Sequence, residues 1–238
     1  MRIQRMAEVL GQRGHEIHLV TYHLGDPLPA APPYRLYRTR RLPTYQKQSP
    51  GPALQKLLVV DPFLARLLRR VLREHRVDLI HAHHYEGLLV ARMAARRLGL
   101  PIIYDAHTLL GTELGHYVPG PLQGLAARTG DWLDRILPPR ADHVISVSQA
   151  IRDHLVATGA MAADRITVIG NGVEQDHFDV GNGSRAEGER LIFTGNLAPY
   201  QGIDLLLQSF REVRALRRDV RLVIVSDSPF DPYEALAR

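Results

Sequence analysis

Residues suited to binding an anion lie in the segment from Arg190 to Phe210, RLIFTGNLAPYQGIDLLLQSF. An apolar run ends at Gly195 and a helical pattern begins after Gly202, which predicts a strand, a tight turn and the start of a helix. Such a turn points unpaired backbone N–H groups of the helix toward a ligand. The pattern is equally consistent with a turn that binds nothing, so both interpretations stay open at this point.

Three histidines form a second group suited to chemistry. His81 and His83 are two residues apart in a predicted strand, so they share one of its faces. This pair could ligate a metal, but no third ligand follows at a recognisable spacing, so we expect hydrogen-bonded structure and no metal. His107 follows another predicted strand and is either a site residue or a strand-end histidine bonded to a neighbouring loop. We expect Asp105 on the other face of that strand, in a helix cap or an ion pair.

The elements that position these residues alternate between strands and helices. The sequence begins with an amphipathic helix over 3–10 and a strand over 16–22, and a short strand is possible over 35–39. Further strands are predicted over 77–82, 101–106, 143–147 and 165–169, with helices between them. Near-continuous apolar strands of this kind indicate a parallel sheet that is covered on both faces. Ligands bind beyond the carboxyl ends of such strands, where His107 and Ser148 lie, and Ser148 also suits the N-cap of a helix over 149–157.

A glycine-rich stretch divides the sequence. Residues 170–189 contain five glycines and little that could pack in a core. We therefore predict a first domain over 1–170, an interdomain linker over 171–189 and a partial second domain over 190–238. The expected fold class is α/β, a Rossmann-like parallel-sheet domain followed by the beginning of a second one. Asn171 and Gly172 mark the crossover, where glycine allows a turn.

The bulk composition is that of an ordinary soluble protein. The 238 residues are 45% hydrophobic and 23% charged, which is enough for a sizeable core. Cysteine is absent, which excludes disulfides and cysteine-based zinc or redox chemistry. We find no signal peptide and no apolar run of about 18 residues, so we expect a cytoplasmic location.

Positive charge is concentrated in one region. Between residues 35 and 76 there are 11 Arg or Lys residues against two acidic ones, and the net charge of the chain is +5. Because nearly all the basic residues are arginine, a bias that genome composition also produces, we expect no nucleic-acid partner. A helix predicted over 54–75, with a bend at Pro62, has leucines on one face and, on the other, Arg66, Arg69, Arg70 and Arg73. Those arginines are either a solvated surface or a contact with an anionic membrane.

Four segments carry a resemblance to a known family when they are read in order. They are VDLIHAHHYEGLLVARMAARRLGLPIIYDAH, ADHVISVSQAIRDHL, RITVIGNGVEQDHF and LIFTGNLAPYQGIDLLLQSF. In this order they resemble the successive motifs of glycosyltransferase family 4, whose members have the GT-B fold, and RGHEIHLVT at 13–21 extends the resemblance. It implies two Rossmann-like domains across a cleft, with a sugar nucleotide held mainly by the second domain and the acceptor mainly by the first.

The resemblance also implies roles for individual residues. His107 matches the position expected to touch the donor sugar or to act near its anomeric centre. The donor diphosphate would be held at the turn by Gly195, Asn196, Gln201 and Gly202. The acceptor side of the cleft would contain His81, His83, Glu113 and Ser148. Family members commonly have Arg where this chain has Asn196 and Lys where it has Gln201, so two cationic contacts become neutral ones.

The resemblance implies a retaining, metal-independent glycosyltransferase of the hexosyltransferase type. Its donor would be a nucleotide-sugar such as a UDP- or GDP-sugar, without a cofactor. Its acceptor would be a glycan or a lipid-linked molecule of polysaccharide or cell-envelope biosynthesis, reached in the cytoplasm or at the inner face of the cell membrane. Only about 50 residues follow the linker and no strand precedes the first helix, so we expect these 238 residues to be truncated and inactive alone.

Two other classes of protein stay open at this point. A GT-B-like module without catalysis, which binds a glycan or a protein partner, would explain the neutral Asn196 and Gln201. A nicotinamide-dependent oxidoreductase is disfavoured because the sequence lacks G-x-G-x-x-G: Gly181 and Gly183 are not followed by a third glycine at Ala186.

Overall fold

The computed structural model describes residues 2–25, 31–41, 59–118, 120–173, 189–198 and 201–237. Most of the predicted linker over 171–189, and the beginning of the helix predicted over 54–75, lie outside these residues. The chain divides into two compact units, Met1–Gly172 and Val173–Arg238.

The first unit alternates between helices and strands. In chain order it contains α1 (Arg2–Gln12), β1 (His18–Thr21), β2 (Arg35–Arg38), α2 (Asp61–Glu74), β3 (Ile80–His83), α3 (His84–Ala95), β4 (Ile102–Ala106), α4 (Leu110–Glu113), α5 (Gln123–Ile136), β5 (His143–Ser146), α6 (Gln149–Ala157) and β6 (Ile166–Val168). Strands β3 to β6 form one parallel sheet in that order, while β1 and β2 form a separate parallel pair. The predicted α/β class with a Rossmann-like parallel sheet is confirmed.

The core of the first unit is built from the sheet and its connecting helices. Ile102 of β4 and Val144 of β5 are fully buried, in one cluster with Leu88 of α3 and Leu155 of α6. Each large apolar side chain contributes about 1.5–3 kcal/mol when it is fully buried. This packing fixes the strands, and hence the polar residues at their carboxyl ends.

Helix α2 is amphipathic as predicted, and its described α-helical part runs over Asp61–Glu74, with Pro62 near the start of that part. The predicted start of the helix at residue 54 lies outside the described residues. Leu64 and Val71 are buried. The four arginines Arg66, Arg69, Arg70 and Arg73 are exposed on the other face.

Asp134 in α5 holds the start of α4 in place. Its Oδ1 accepts a hydrogen bond from the Leu110 N–H group (3.0 Å), and its Oδ2 accepts one from Gly111 (2.9 Å). Gly130 allows the two helices to approach, because a Cβ atom there would lie 2.3 Å from the Leu110 carbonyl oxygen. Asp134 therefore caps the short helix that follows β4. The first N–H groups of a helix have no acceptor within the helix, so they need one from elsewhere.

Replacing Asp134 with alanine is expected to lower the free energy of unfolding by about 1–3 kcal/mol, because two N–H groups lose their acceptor. Asp134→Asn keeps one carbonyl oxygen and is expected to lose less. Urea unfolding followed by circular dichroism measures both changes, and Asp131→Ala, an exposed aspartate on the same helix, is the control. An Asp134→Ala protein as stable as this control would contradict the capping role.

The second unit contains a parallel strand pair and two helices. In chain order these are β7 (Arg190–Thr194), α7 (Ile203–Leu216), β8 (Arg221–Val225) and α8 (Glu234–Ala237). Strand β7 pairs with β8 along its whole length. Leu197, Ile203 and Leu207 form a small buried cluster. The strand and the helix expected on either side of Gly195 and Gly202 are present, and α8 is an addition that the sequence pattern did not predict.

Candidate functional site

Four side chains converge where strands β3 and β4 end. Strand β3 contributes His81 and His83, whose ring centroids are 4.4 Å apart. Strand β4 contributes Asp105, which lies beside His83 in the parallel register, and His107 follows this strand directly. The distances to Asp105 Oδ2 are 3.2 Å from His83 Nδ1, 3.5 Å from His107 Nε2 and 3.7 Å from His81 Nε2. We call these four residues and Arg2 the Asp105 cluster.

Arg2 joins the Asp105 cluster from the first turn of α1. Its guanidinium makes a two-pronged ion pair with Asp105, in which Nε donates to Oδ2 (2.9 Å) and Nη2 donates to Oδ1 (3.3 Å). The same group donates to the carbonyl oxygens of Ile169 and Gly170 and to Asn171 Oδ1, at 3.0–3.1 Å. Arg2 therefore ties together the start of α1, the end of β4 and the chain that follows β6.

The electrostatics of the cluster keep Asp105 ionised. The residue is fully buried, at 0% exposure. Burial alone would raise the pKa of Asp105, but the three surrounding imidazoles and the Arg2 guanidinium outweigh it and hold the pKa well below its usual range. The pKa of His83 is lowered, mainly because burial disfavours the imidazolium, although the Asp105 carboxylate opposes this effect. The cluster therefore combines an ionised carboxylate, Asp105, with a histidine, His83, that favours its neutral form.

The prediction that Asp105 lies on the other strand face from His107 is wrong. The two side chains lie on the same side, 3.5 Å apart. The reason is the two-residue period of extended backbone, which pairs Asp105 with His107 in the same way as it pairs His81 with His83. The alternative of an ion pair for Asp105 is realised through Arg2.

His84 follows β3 with an uncommon backbone conformation. Its φ is +62°, in the left-handed region that residues with a Cβ atom rarely adopt. Its ring lies 4.9 Å from the His107 ring. Such conformations cost about 1–3 kcal/mol and are concentrated at functional sites. The turn between β3 and α3 therefore belongs to the candidate site.

Glu113, predicted on the acceptor side, lies at the end of α4 and is half-buried. Its Oε1 accepts a hydrogen bond from the Tyr117 hydroxyl (3.2 Å). Burial raises the pKa of Glu113 above its ordinary value, and the hydrogen bonds from Tyr117 and Thr108 oppose this only in part. Glu113 is thus held in the structure rather than solvated in a loop.

Replacing Glu113 with glutamine is expected to change how stability depends on pH. Because the pKa of Glu113 is raised in the folded protein, the wild type loses stability as the pH rises from the ordinary glutamate pKa of 4.5 through the raised value. The glutamine variant lacks this loss, so its stability relative to the wild type should increase over that range. Thermal unfolding from pH 4 to 8 measures the difference, with the exposed Glu212→Gln as control. A difference that is constant with pH would contradict the prediction.

Three other predicted residues lie in the first unit: Ser148, predicted at the cleft, and Asn171 and Gly172, predicted at the interdomain crossover. Ser148 Oγ accepts a hydrogen bond from the Ile151 N–H group (3.3 Å) and so caps α6, as its position predicted. Asn171 contacts Arg2 through its side-chain oxygen. Gly172 is the last residue of the first unit. The cleft and crossover roles of these residues stay predictions.

The predicted anion site lies between β7 and α7 in the second unit, where residues 195–198 and 201–202 are described. The Gly195 N–H group donates to the carbonyl oxygen of the last residue of β8 (3.2 Å). Asn196 Oδ1 accepts from the backbone N–H group two residues further on (3.1 Å), so this side chain stabilises the turn. Gly202 has a φ of +67° at the start of α7, a conformation that glycine adopts without steric penalty, and Gln201 beside it is exposed. Helix α7 thus begins with N–H groups that its own hydrogen bonds do not use.

Comparison with protein families supports the resemblance and argues against the oxidoreductase class left open above. Residues 1–177 match the model described as Glycosyltransferase Family 4, which is well over half of the chain. The chain belongs to glycosyltransferase family 4. The match spans the first unit, and so it includes every residue of the Asp105 cluster.

Curated relatives of this family 4 chain are themselves transferases. The D-inositol 3-phosphate glycosyltransferase of Segniliparus rotundus is 28% identical over 180 residues, which are 70% of this chain and 39% of the relative. Sulfoquinovosyl transferase SQD2 of Arabidopsis thaliana is 24% identical over 241 residues, or 96% of this chain and 44% of the relative. The chain therefore spans less than half the length of these two relatives.

Solved structures resemble the family 4 chain in fold. Sucrose-phosphate synthase from Thermosynechococcus elongatus has a TM-score of 0.67 at 16% identity, over 94% of this chain and 55% of that one. Anabaena Alr3699/HepE in complex with UDP and glucose has a TM-score of 0.58 at 20% identity, over 86% of this chain and 50% of that one. At these identities the similarity shows the fold.

Sequence reasoning missed two residues of this family 4 site and misplaced a third. Arg2 stands 103 positions before its partner Asp105, and no spacing rule connects them. His84 directly follows His83 in the sequence, but its strained backbone conformation leaves no mark there. Asp105 had a usable signal, since it stands two positions before His107 as His81 stands two before His83.

Proposed function

We propose that this family 4 chain transfers a sugar from a nucleotide-sugar donor to a glycan or lipid-linked acceptor, with retention of configuration at the anomeric carbon. The observation that carries the proposal is the Asp105 cluster, which holds His107 at the carboxyl edge of a parallel sheet against a buried carboxylate. Ligands bind at such edges. The UDP and glucose bound by the structurally similar Alr3699/HepE support a nucleotide-sugar donor.

His107 is the residue that we assign to the reacting sugar. Its Nε2 lies 3.5 Å from Asp105 Oδ2 and 3.4 Å from His83 Nδ1, so its ring orientation is fixed before a substrate arrives. A polar group fixed in advance stabilises developing charge without reorganisation during the reaction. Asp105 and Arg2 act through His107 and are therefore positioning residues.

The turn between β7 and α7 is assigned to the donor diphosphate. The unused N–H groups at the start of α7 and the close backbone approach at Gly195 suit an anion. Asn196 and Gln201 are neutral, and a neutral hydrogen bond contributes about 0.5–1.5 kcal/mol against about 1.5–3 for a charged one. We therefore expect weak donor binding.

Calorimetry with UDP and GDP tests this assignment. Converting Asn196 to Arg and Gln201 to Lys together is expected to tighten binding about tenfold or more, because 1.4 kcal/mol corresponds to tenfold. Glu212→Lys, which changes the charge of α7 two turns after its start, is the control. An affinity unchanged by the double substitution would argue against phosphate binding at this turn. Nucleotide binding without turnover of any donor would favour the non-catalytic GT-B-like module.

The proposed transfer needs neither a metal nor a cofactor. Polar donors replace the metal in stabilising the departing diphosphate. Donor turnover is therefore expected to continue after treatment with EDTA. Turnover that stops in EDTA and returns with Mg²⁺ or Mn²⁺ would contradict this part of the proposal.

Peripheral contact with an anionic membrane is part of the proposal. Arg69 and Arg73 of α2 line a groove of about 760 Å³ that also contains Arg92, Arg96, Arg97 and Arg140. Met93 and Leu98 in the same groove are 46% and 49% exposed, so cations and apolar side chains share one surface. Within the described residues no helix has the length and apolarity to cross a bilayer.

Vesicle co-sedimentation tests the membrane contact. We expect binding to vesicles of phosphatidylcholine with phosphatidylglycerol, no binding to phosphatidylcholine alone, and weaker binding at high salt. The pair Arg69→Glu and Arg73→Glu is expected to abolish it. The pair Arg211→Glu and Arg218→Glu, exposed residues of the second unit, makes the same charge change as a control. Equal effects of the two pairs would argue against a specific contact through α2.

A further inference from the structure

We propose that the Asp105 cluster binds a zinc ion through His81, His83 and Asp105. One ligand atom from each of these three residues lies within 4.8 Å of the other two, a grouping of His, Asp or Glu ligand atoms that recurs nowhere else in the described residues. Zinc in proteins is held by imidazole nitrogen and carboxylate oxygen atoms, and many sites use three protein ligands with a water molecule or a substrate in the fourth position of a tetrahedron. The cluster offers such a set of three ligands.

The distances from Asp105 to the two histidine ligands are close to the edges of a zinc tetrahedron. With metal–ligand bonds of about 2.0–2.2 Å, those edges are about 3.3–3.6 Å long. Asp105 Oδ2 lies 3.2 Å from His83 Nδ1 and 3.7 Å from His81 Nε2. An ion held by these three residues therefore needs only small side-chain adjustments. His107 Nε2 lies 3.4 Å from His83 Nδ1, so it stands next to the position of the ion.

Hydrogen bonding alone does not account for this convergence. Ordinary N–H···O distances are about 2.7–3.2 Å, and two of the three histidine distances to Asp105 Oδ2 are longer. His81 Nε2 is buried and has no hydrogen-bond partner among the described residues. Buried polar atoms are nearly always paired, and a zinc ion would supply the missing partner.

The features that orient the ligands of a metal site and give an ion access to it are also present. His81 and His83 lie on a strand, whose two-residue period directs both rings to one face. Arg2 donates to both oxygens of Asp105, and an outer partner of this kind orients a ligand carboxylate. The side chains of the three histidines are 13–21% exposed, which gives an ion a path of entry.

Zinc at this position inhibits the proposed transfer. This inhibition rests on the proposed function, whereas the binding of zinc does not depend on it. The ion would lie beside the His107 nitrogen that we assign to the reacting sugar, and its charge would oppose the positive charge that develops on that sugar during transfer. A metal-independent enzyme would thus carry a metal site that switches it off.

Metal binding is tested without any donor present. Protein stripped with EDTA and desalted is titrated with Zn²⁺ by calorimetry and with Co²⁺ by visible absorption. We expect one strong Zn²⁺ site and, with one equivalent of Co²⁺, the intense visible bands of tetrahedral coordination. His83→Gln is expected to weaken Zn²⁺ binding by about 100-fold or more, because loss of an outer-shell partner alone typically weakens it 10–100-fold.

His143→Gln is the matched control, because His143 begins β5 at the opposite edge of the sheet, where its Nε2 contacts Thr167. Circular dichroism reports whether each variant folds, and His81→Gln replaces His83→Gln if the latter does not. An affinity for Zn²⁺ that is equal in the wild type and the cluster variants, or an octahedral Co²⁺ spectrum, would overturn the site. Zn²⁺ that binds without slowing donor turnover would overturn the inhibition alone.

Discussion

Replacing Asp105 with alanine is expected to lower the free energy of unfolding by about 3–5 kcal/mol, because the change breaks a buried ion pair by removing one partner. Arg2, whose side chain is 14% exposed, would lose its counter-ion at the end of β4. Three imidazoles would lose their common partner as well. Since a typical domain has a stability of about 5–15 kcal/mol, this loss is a large share of the total.

Asp105→Asn keeps the shape of the side chain and removes its charge, so it measures the contribution of the charge to stability. It keeps an oxygen that accepts from Arg2 but removes the negative charge, so we expect a loss between that of Asp105→Ala and zero. Asp142→Asn is the control, because Asp142 is exposed and its Oδ2 accepts a hydrogen bond from the Ile102 N–H group (2.8 Å). Urea unfolding measures all three variants. A loss below about 1 kcal/mol for Asp105→Ala would show that the carboxylate does not hold the site together.

Replacing His107 with alanine is expected to lower kcat for sugar transfer by about 100- to 1000-fold, the usual effect of removing one fixed polar group from a reacting centre. KM for the donor should change much less, because the diphosphate is assigned to the turn in the second unit. His107 lies at the edge of its unit rather than in the core, so the variant should remain folded.

Two further variants test whether the loss of kcat is specific to the His107 side chain. His107→Gln keeps a polar group and is expected to retain more activity than His107→Ala. His143→Ala removes a half-buried imidazole that contacts Thr167 at the start of β5 and should leave kcat unchanged. Steady-state kinetics with one donor at saturating acceptor measures each enzyme. If His107→Ala retained more than about a third of wild-type kcat, His107 would not act at the reacting sugar.

The order of the elements could be predicted because it depends on short-range patterns. Alternation of apolar strands with helices predicted β3 to β6 as a parallel sheet, and their observed ends differ from the predicted ones by at most three residues. Ser148 was recognisable as an N-cap because a hydroxyl side chain precedes a helical pattern. Gly202 was recognisable because the chain must reverse direction before α7.

The composition of the site could be predicted only in part, because it depends on contacts that the fold makes over long distances. His81, His83 and His107 were identified as candidates by strand position and by resemblance. The carboxylate that unites them could not be recognised without the register that places Asp105 beside His83. The contact of Arg2 with that carboxylate depends on how α1 packs at the sheet edge, which no local pattern encodes.

The central claim is that His107, held by Asp105, serves sugar transfer from a nucleotide-sugar, and donor turnover tests it most directly. The protein at its full natural length is incubated with UDP- and GDP-sugars, with and without glycan and lipid-linked acceptors. Released nucleoside diphosphate and the anomeric configuration of the product are followed by NMR. We predict release from at least one donor, a product of retained configuration, and loss of both in His107→Ala. Failure of every donor to bind or to release its nucleoside diphosphate would contradict the claim.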